Sequence, residues 1–526
     1  MRDRWSGILL GAVVAQIPFE LRYTVFGLTN LQWTFVVLVL ASIPSLLEHR
    51  WRLLRDRLVQ TATLFVAIQW LAAVIAPEFQ TNAFKASTRF TAGLLLLCVA
   101  RSFNQNKSIS RVWVVSSVLA AGYALIAHAG FGFTWLFRTE EFYIGQIQRL
   151  SGSFEYPNTA AAYFAMSLPI VWWSSFRPAS RMVFSFLLWC AIILTLSTGA
   201  LAALLVVVLI CVFISQSNAA GWKRAAALAA IGAAAYGILL PLQPYLWKRL
   251  NGPDARNPVA AEYTTPWNKL QQQPGSHGQI PLRIRNTGME KWRSQGWWRV
   301  AVAYRWWNAE TETFSKIMPQ VTNLPHDINP GETVEIPAAF ETPKEAGRYI
   351  LVLELFSRNL NWFSQTGVVP TLIQADIQPS ISPGVGQADL SSFYQRRQVP
   401  DKLTASVPRT SLWAAAIRMF IAHPFGAGPD NFRLLYGNYL GASRWDTHVY
   451  SNSLYLELLS GSGILGLAAF LLMLAMKEWR FEVSSVAAAV FLVHGLVDFF
   501  LMATPIYFAF WVLMGLSAGV QPAPND

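Results

Sequence analysis

Twelve stretches of this chain are apolar on nearly every side, with no polar face: 5–21, 31–47, 60–77, 88–103, 112–130, 158–176, 182–196, 201–215, 225–242, 454–476, 483–500 and 505–519. A bilayer core about 30 Å thick takes roughly 20 such residues per helix. The pattern therefore predicts an all-α polytopic membrane protein with about twelve transmembrane helices. The first run lacks a small-residue cleavage site and a second span follows it, so it reads as an anchor and not as a signal peptide.

From 279 to 379 the period changes from helical to alternating. Ile280, Leu282 and Ile284 alternate with Arg283 and Arg285, and Val300, Val302, Tyr304 and Trp306 alternate with Ala301, Ala303 and Arg305. Tyr349, Leu351, Leu353 and Leu355 form a third run. Turn signals separate them at Asn286-Thr287-Gly288, Asn329-Pro330-Gly331 and Ala346-Gly347. Short strands at this spacing predict an inserted β-sandwich. The expected division is therefore helices 1–9 over 1–248, an external linker over 249–278, the sandwich over 279–379, a second linker over 380–405, external helices over 406–453 and helices 10–12 over 454–526.

Charge orients the spans. With the N-terminus inside, fifteen Lys and Arg fall on inner segments (Arg2, Arg4, Arg50, Arg52, Arg55, Arg57, Arg101, Lys107, Arg111, Arg177, Arg181, Lys223, Arg224, Lys477 and Arg480). Five (Arg22, Lys85, Arg89, Arg138 and Arg149) fall on short outer loops. Both termini are then cytoplasmic and the long segment between 242 and 454 is external. The net charge of +12 needs no nucleic-acid partner, since most of it is this inward bias, and the rest suits anionic lipids or phosphorylated substrates. Cys98, Cys190 and Cys211 all lie in apolar runs, so neither a disulfide framework nor a thiolate metal site is expected outside.

There is no nucleotide-binding glycine loop, metal-ligand cluster or nucleophile elbow. Four outer motifs carry the signal instead: "RLSGSFEYPNTAAAYFAMSLPI" from Arg149, "YLWKRL" with Arg249, "RTSLWAAAIRMFIAHPFGAGPDNF" from Arg409, and "THVYSNSLYLELLSGSGILGL" with His448 and Asn452. In this order and topology they resemble the O-antigen ligase and O-antigen polymerase superfamily. The pieces "RNTGMEKW", "VAYRWW", "NPGETVEIP", "AGRYILVLEL" and "NWFSQTG" resemble immunoglobulin-like modules of bacterial glycosyltransferase-associated proteins.

The resemblance implies a bacterial inner-membrane enzyme that moves a glycan from an undecaprenyl-diphosphate carrier to an acceptor at the outer face. The acceptor is lipid A-core, another glycan or a protein, and no metal or other cofactor is implied. Arg249 and Arg409 match the two arginines that flank the family's large outer loop, where a planar guanidinium fork offsets the charge of a diphosphate leaving group. Arg149 is a third cation. His448 lies four residues before Asn452, whereas the family carries a His-Asn pair; His448 is the expected base and Glu155 the runner-up. Asn158 and Asn452 are expected to orient substrate, and Gly426 and Gly428 to turn the backbone beneath it. Arg433 and Arg444 read as surface residues. His494 and Asp498, spaced i, i+4 in an apolar run, read as structural partners on one helix face. A ligase arrangement is favoured over a polymerase or a protein oligosaccharyltransferase. The reading of a different class is a glycolipid flippase, against which stand the absence of an internal repeat and the clustering of arginines at one face.

Overall fold

The computed structural model describes residues 2–102, 106–133, 135–137, 143–144, 147–214, 219–241, 260–288, 291–295, 299–311, 313–314, 321–357, 362–366, 368–390, 409–441, 447–477, 479 and 483–516. A helix stands in each apolar run of the sequence. They are α1 (Arg2–Gln16), α2 (Asn30–Glu48), α4 (Arg57–Val74), α5 (Gln80–Ser102), α6 (Asn106–Ile126), α7 (Pro157–Trp172), α8 (Pro178–Leu194), α9 (Thr198–Ile214), α10 (Ala219–Leu239), α13 (Leu454–Met476), α14 (Val483–His494) and α15 (Thr504–Gly515). The short α3 (Arg50–Arg55) links α2 to α4, while α11 (Arg409–Ala422) and α12 (Phe432–Leu440) precede α13. Five helical segments are long and apolar enough to cross a membrane, at Asn30–Glu48, Arg57–Val74, Gln80–Ser102, Ser108–Phe131 and Leu454–Met476. The protein is a multi-pass helical membrane protein with a β-rich region.

Two of these helices are unlike the rest. The residues of α7 are buried on all sides except at Asn158, so this helix is the axis of the bundle and not part of its lipid-facing wall. α13 is broken at Gly463, whose φ of 68° and ψ of −168° no L side chain holds comfortably. The polar groups freed by the break are taken up by the loop between α11 and α12. Ala427 N donates to Ser460 O and Gly428 N to Gly461 O, both at 2.9 Å, and Ile464 N donates to Pro424 O at 3.0 Å. Irregular backbone at bilayer depth is tolerated only where protein satisfies it in this way.

Three charged residues lock the opposite end of the bundle. Arg101 pairs with Asp56 at 2.6 Å, and Asp56 also accepts from Leu58 N at the start of α4. Lys477 donates to the terminal carbonyls of α15, at 3.2 Å to Leu513 O and 3.4 Å to Met514 O, where a cation meets the negative end of a helix.

The β-rich region comprises β3 (Ala261–Thr264), β4 (Lys269–Gln272), β5 (His277–Asn286), β6 (Val300–Asn308), β7 (Thr313–Phe314), β8 (Val321–Asn323), β9 (Thr333–Glu341), β10 (Gly347–Ser357), β11 (Thr371–Ile377) and β12 (Gly384–Gly386). A separate two-stranded ribbon, β1 (Tyr143–Ile144) and β2 (Ile147–Gln148), precedes α7. Strands β3-β5-β9 form one sheet, and β12-β4-β11-β10-β6-β7, with β8 on β6, form a second. One apolar core draws on both sheets. Ile280, Leu282, Ile284, Ile336 and Phe340 come from the first, and Tyr304, Trp306, Leu351, Leu353 and Ile373 from the second.

The strands begin earlier and end later than the alternation predicts. β3 and β4 fall in the stretch read as a linker over 249–278, and β12 in the one over 380–405. Their Gln, Thr and Gly content hides them, because they are short strands whose partners, not their own side chains, secure them. Trp292, Trp306 and Trp307 are buried in the domain, and Trp297 and Trp298 lie outside the described residues. Trp362 instead covers Arg305, whose guanidinium sits 4.0 Å from its ring and 4.6 Å from that of Phe314. Arg305 pairs closely with the buried Glu354, which also accepts from Ser364 N at 2.8 Å. Burial pushes the Glu354 carboxyl above its ordinary value, against the opposing pull of Arg305.

Candidate functional site

Four chain segments meet at the end of the bundle where α7, α13 and α15 begin and α8 and α14 finish. Arg149 precedes α7, Asn158 is its second residue, Arg409 opens α11, and Asp498 lies in the turn after α14. Pro157 occupies the first helical position of α7, where its fixed φ suits helix entry. The N-cap is Tyr156, so the Asn158 amide is left available for tertiary contacts.

Asp498 is the hub. Its Oδ2 accepts from Asn158 Nδ2 at 2.7 Å and lies 3.8 Å from Arg409 Nη2. Its Oδ1 accepts from the backbone N of Phe499 at 3.0 Å. Asn158 Oδ1 in turn accepts from Arg149 Nη2, and Arg149 Nε donates to Thr195 O at 2.7 Å, at the C-terminal end of α8. Two guanidinium groups are thus held around one carboxylate, leaving an excess of positive charge. The Arg409 side chain keeps 45% of its surface open while Asp498 keeps 10%, so the carboxylate anchors and the guanidinium faces outward. That arrangement suits a polyanion such as a diphosphate, with a fixed cation whose hydrogen-bond donors are not all spent inside the protein.

Of the other expected site residues, Arg249 lies outside the described residues, as does Arg444. His448 and Glu155 are exposed. Asn452 is half-buried in a left-handed conformation, φ 53°, in the turn that leads into α13. Ser453 caps that helix, and Leu454 N donates to Gly495 O at 2.7 Å and to Asp498 O at 3.1 Å, so this turn is tied to the hub. Gly426 and Gly428, both at φ 102°, make the turn that satisfies the break in α13. A Cβ on Gly426 would overlap Gly461 O, and one on Gly428 the Asn431 amide.

Two sequence expectations require correction. Arg433 is no surface residue. It grips Asp430 through Nε and Nη2, donates to Asn82 Oδ1 at 2.9 Å and reaches Thr447 O at 3.1 Å. Asp430, at φ 65°, also accepts from Asn82 Nδ2, so the clamp fastens the start of α5 to the loop before α12. Burial works against the charge of Arg433, but the bonds and charge of Asp430 outweigh it and hold its pKa above the ordinary value. Likewise His494 and Asp498 do not share a helix face, because α14 ends at His494. The ring of His494 packs on Phe500 at 4.6 Å, and its two nitrogens are buried with no hydrogen-bond partner among the described residues.

The signal for Asp498 was present in the sequence, since a carboxylate in an apolar run needs a partner. Its partners are simply far away in sequence. Glu457, a carboxylate in the apolar run 454–476, carries the same signal.

The model of a family described as O-antigen ligase matches residues 379–471, a span that includes Arg409, the Gly426–Gly428 turn, Asn452 and the broken helix. No curated protein matches the chain significantly. Among solved structures, a Pseudomonas fluorescens alkylpurine DNA glycosylase bound to DNA containing an abasic site analog aligns over 61% of this chain and 98% of its own, with 10% identity and a TM-score of 0.16, too low to indicate a shared fold. Over residues 379–471 this chain is similar to the O-antigen ligase family, whose activity is a glycosyltransferase-type step of envelope glycan biosynthesis.

Proposed function

We propose that this protein transfers a glycan from an undecaprenyl-diphosphate carrier to an acceptor at the outer face of the bacterial inner membrane, without a metal. The two-sheet unit is its inserted immunoglobulin-like module. The observation that carries the reading is the hub itself: Arg409 and Arg149 converge on Asn158 and Asp498, inside and beside the matched family segment.

Breaking the anomeric C–O bond leaves negative charge on the lipid diphosphate. Fixed guanidinium groups stabilise that charge most where it develops, in the transition state. Arg409 carries the main interaction because its fork is open, Arg149 adds a second cation, and Asn158 and Asp498 hold both in place. The acceptor hydroxyl attacks in line as its proton is removed, which gives inversion and requires no covalent enzyme intermediate. Arg249 supplies a further cation from the other flank of the large loop. Asn452 orients the acceptor.

The test uses the full-length protein in nanodiscs with an undecaprenyl-diphosphate glycan, alone, with lipid A-core or with an acceptor protein, and gel analysis of the products. Acceptor-dependent transfer that Arg409→Ala abolishes supports the ligase reading. A ladder made from donor alone moves the assignment to a polymerase, and transfer only to protein moves it to an oligosaccharyltransferase. Donor carried across vesicles with no product sinks the enzyme reading in favour of transport.

A further inference from the structure

Beside the arginine hub lies a second pocket, lined mostly by apolar side chains. The polar groups in its wall are Gln69 of α4, Arg89 of α5, Asp430, and Glu457 and Ser462 of α13, around a cavity of about 20 Å³ that Phe499 also borders. That is room for one water-sized oxygen. Glu457 is 5% exposed. Its Oε2 accepts from Ser451 N at 2.9 Å, while Oε1 is buried with no hydrogen-bond partner among the described residues. A carboxylate oxygen left bare in the interior costs about 1–3 kcal/mol or more, so it is retained only where something donates to it.

Backbone bonds tie the pocket to the hub. Phe499, which lines it, gives its backbone N–H to Asp498, and the turn that holds Glu457 through Ser451 also fastens to Asp498 O through Leu454 N. Arg89 sits across the wall, fixed by a 2.6 Å bond to Met502 O and stacked at 5.0 Å on Tyr507.

We infer that Glu457 is the proton acceptor of the transfer reaction, receiving the proton from an O–H donor seated in this cavity. The inference rests on the glycan-transfer reading above. As the acceptor oxygen bonds to the anomeric carbon, its proton passes to Glu457 Oε1. The bond from that carbon to the diphosphate oxygen breaks, and its electron pair leaves with the lipid diphosphate. Glu457 then returns the proton to water, which resets the site. Among the described residues, the charged and titratable groups facing Glu457 are Arg89 from α5, Asp430 and Arg433 from the clamp, and Tyr450 from the turn.

The experiment compares wild type, Glu457→Gln, Glu457→Asp and His448→Ala, full-length in nanodiscs, measuring transfer rate against pH and donor concentration. Glutamine keeps the shape and can still accept from Ser451 N, and melting curves check that it folds. The expected result for Glu457→Gln is a loss of about 100-fold or more in kcat, with KM for the donor changed less than about threefold, and loss of the limb on which rate rises with pH. Glu457→Asp keeps the charge but draws it back by one methylene, so it keeps that limb at a lower rate; it carries the test should glutamine fail to fold. Glu457→Gln at the wild-type rate, Glu457→Asp without that limb, a loss confined to KM, or disappearance of the limb in His448→Ala alone would each overturn the inference. A wild type that transfers to no acceptor overturns the glycan-transfer reading itself.

Discussion

Asn158 and Asp498, 340 residues apart, are joined by a 2.7 Å hydrogen bond, and both arginines of the hub reach that pair, Arg149 at Asn158 and Arg409 at Asp498. Replacing Asp498 with Asn removes the charge that faces Arg409 and sets two amides against each other at Asn158. A hydrogen bond to a charged group is worth about 1.5–3 kcal/mol, so transfer falls by roughly 10- to 100-fold. The same assay under saturating donor separates the effect on chemistry from that on binding. Activity of Asp498→Asn within about threefold of wild type would show that the hub is only structural.

Arg409→Lys keeps the charge and loses the fork. A lysine amine is a compact point charge that cannot place two parallel N–H bonds on a phosphate edge. The expected outcome is a lysine variant closer to Arg409→Ala than to wild type in kcat/KM, with unchanged melting because nearly half of the side chain is open. Full rescue by lysine would mean that bulk positive charge suffices and that no bidentate contact forms.

How far the sequence reveals this fold depends on the range of the contacts involved. Apolar runs locate the helices because burial in lipid is a property of a segment by itself. The alternation of Ile280, Leu282 and Ile284 marks β5 for the same reason, and the structure buries those positions. Local pattern fails where a partner lies hundreds of residues away. Arg433 reads as a surface residue because Asn82, which helps to bury it, is 351 positions distant. Asp498 is paired with the nearby His494 by the helical period, yet its real partners are Asn158 and Arg409, and the helix stops before it. The arginines themselves stand out in sequence as cations at the ends of apolar runs, while the geometry that gathers Arg149 and Arg409 does not.

The break in α13 gives a prediction about stability. Gly463 has φ 68°, and a Cβ there would overlap the Phe425 carbonyl carbon and Pro424 O. Gly463→Ala must either straighten the helix, which orphans Ala427 N and Gly428 N, or push the loop away. An unsatisfied buried backbone group costs about 1–3 kcal/mol. The variant is therefore expected to melt lower than wild type and to lose transfer activity, since the loop carries Asp430 into the pocket. Gly237→Ala, where a Cβ meets nothing, is the control with unchanged melting.

The β-rich unit carries an acid-sensitive latch. Asp327 accepts from the backbone N–H and the hydroxyl of Ser294 and pairs with Lys291 at 3.1 Å. The Ser294 backbone bond, then Lys291 and the Ser294 hydroxyl, pull its pKa down to about 2. In the unfolded chain an aspartate titrates near 3.9, so as pH falls the unfolded state takes up the proton first. The stabilisation is thus fully present above about pH 4 and is lost as pH falls through about 2. Glu354 works in the opposite sense. Burial raises its pKa, so its contribution is present at low pH and fades as pH rises from the ordinary glutamate value toward the raised one. The measurement is urea unfolding of the full-length protein between pH 5 and 2.5, followed by tryptophan fluorescence, because Trp292 exchanges backbone bonds with Ile328 next to the latch. Wild type should lose stability steadily on acidification, and Asp327→Asn should lose less over the same range, starting from a lower value at pH 5. Parallel curves for the two proteins would mean that the acid response comes from other carboxylates and that Asp327 is bonded equally in both states.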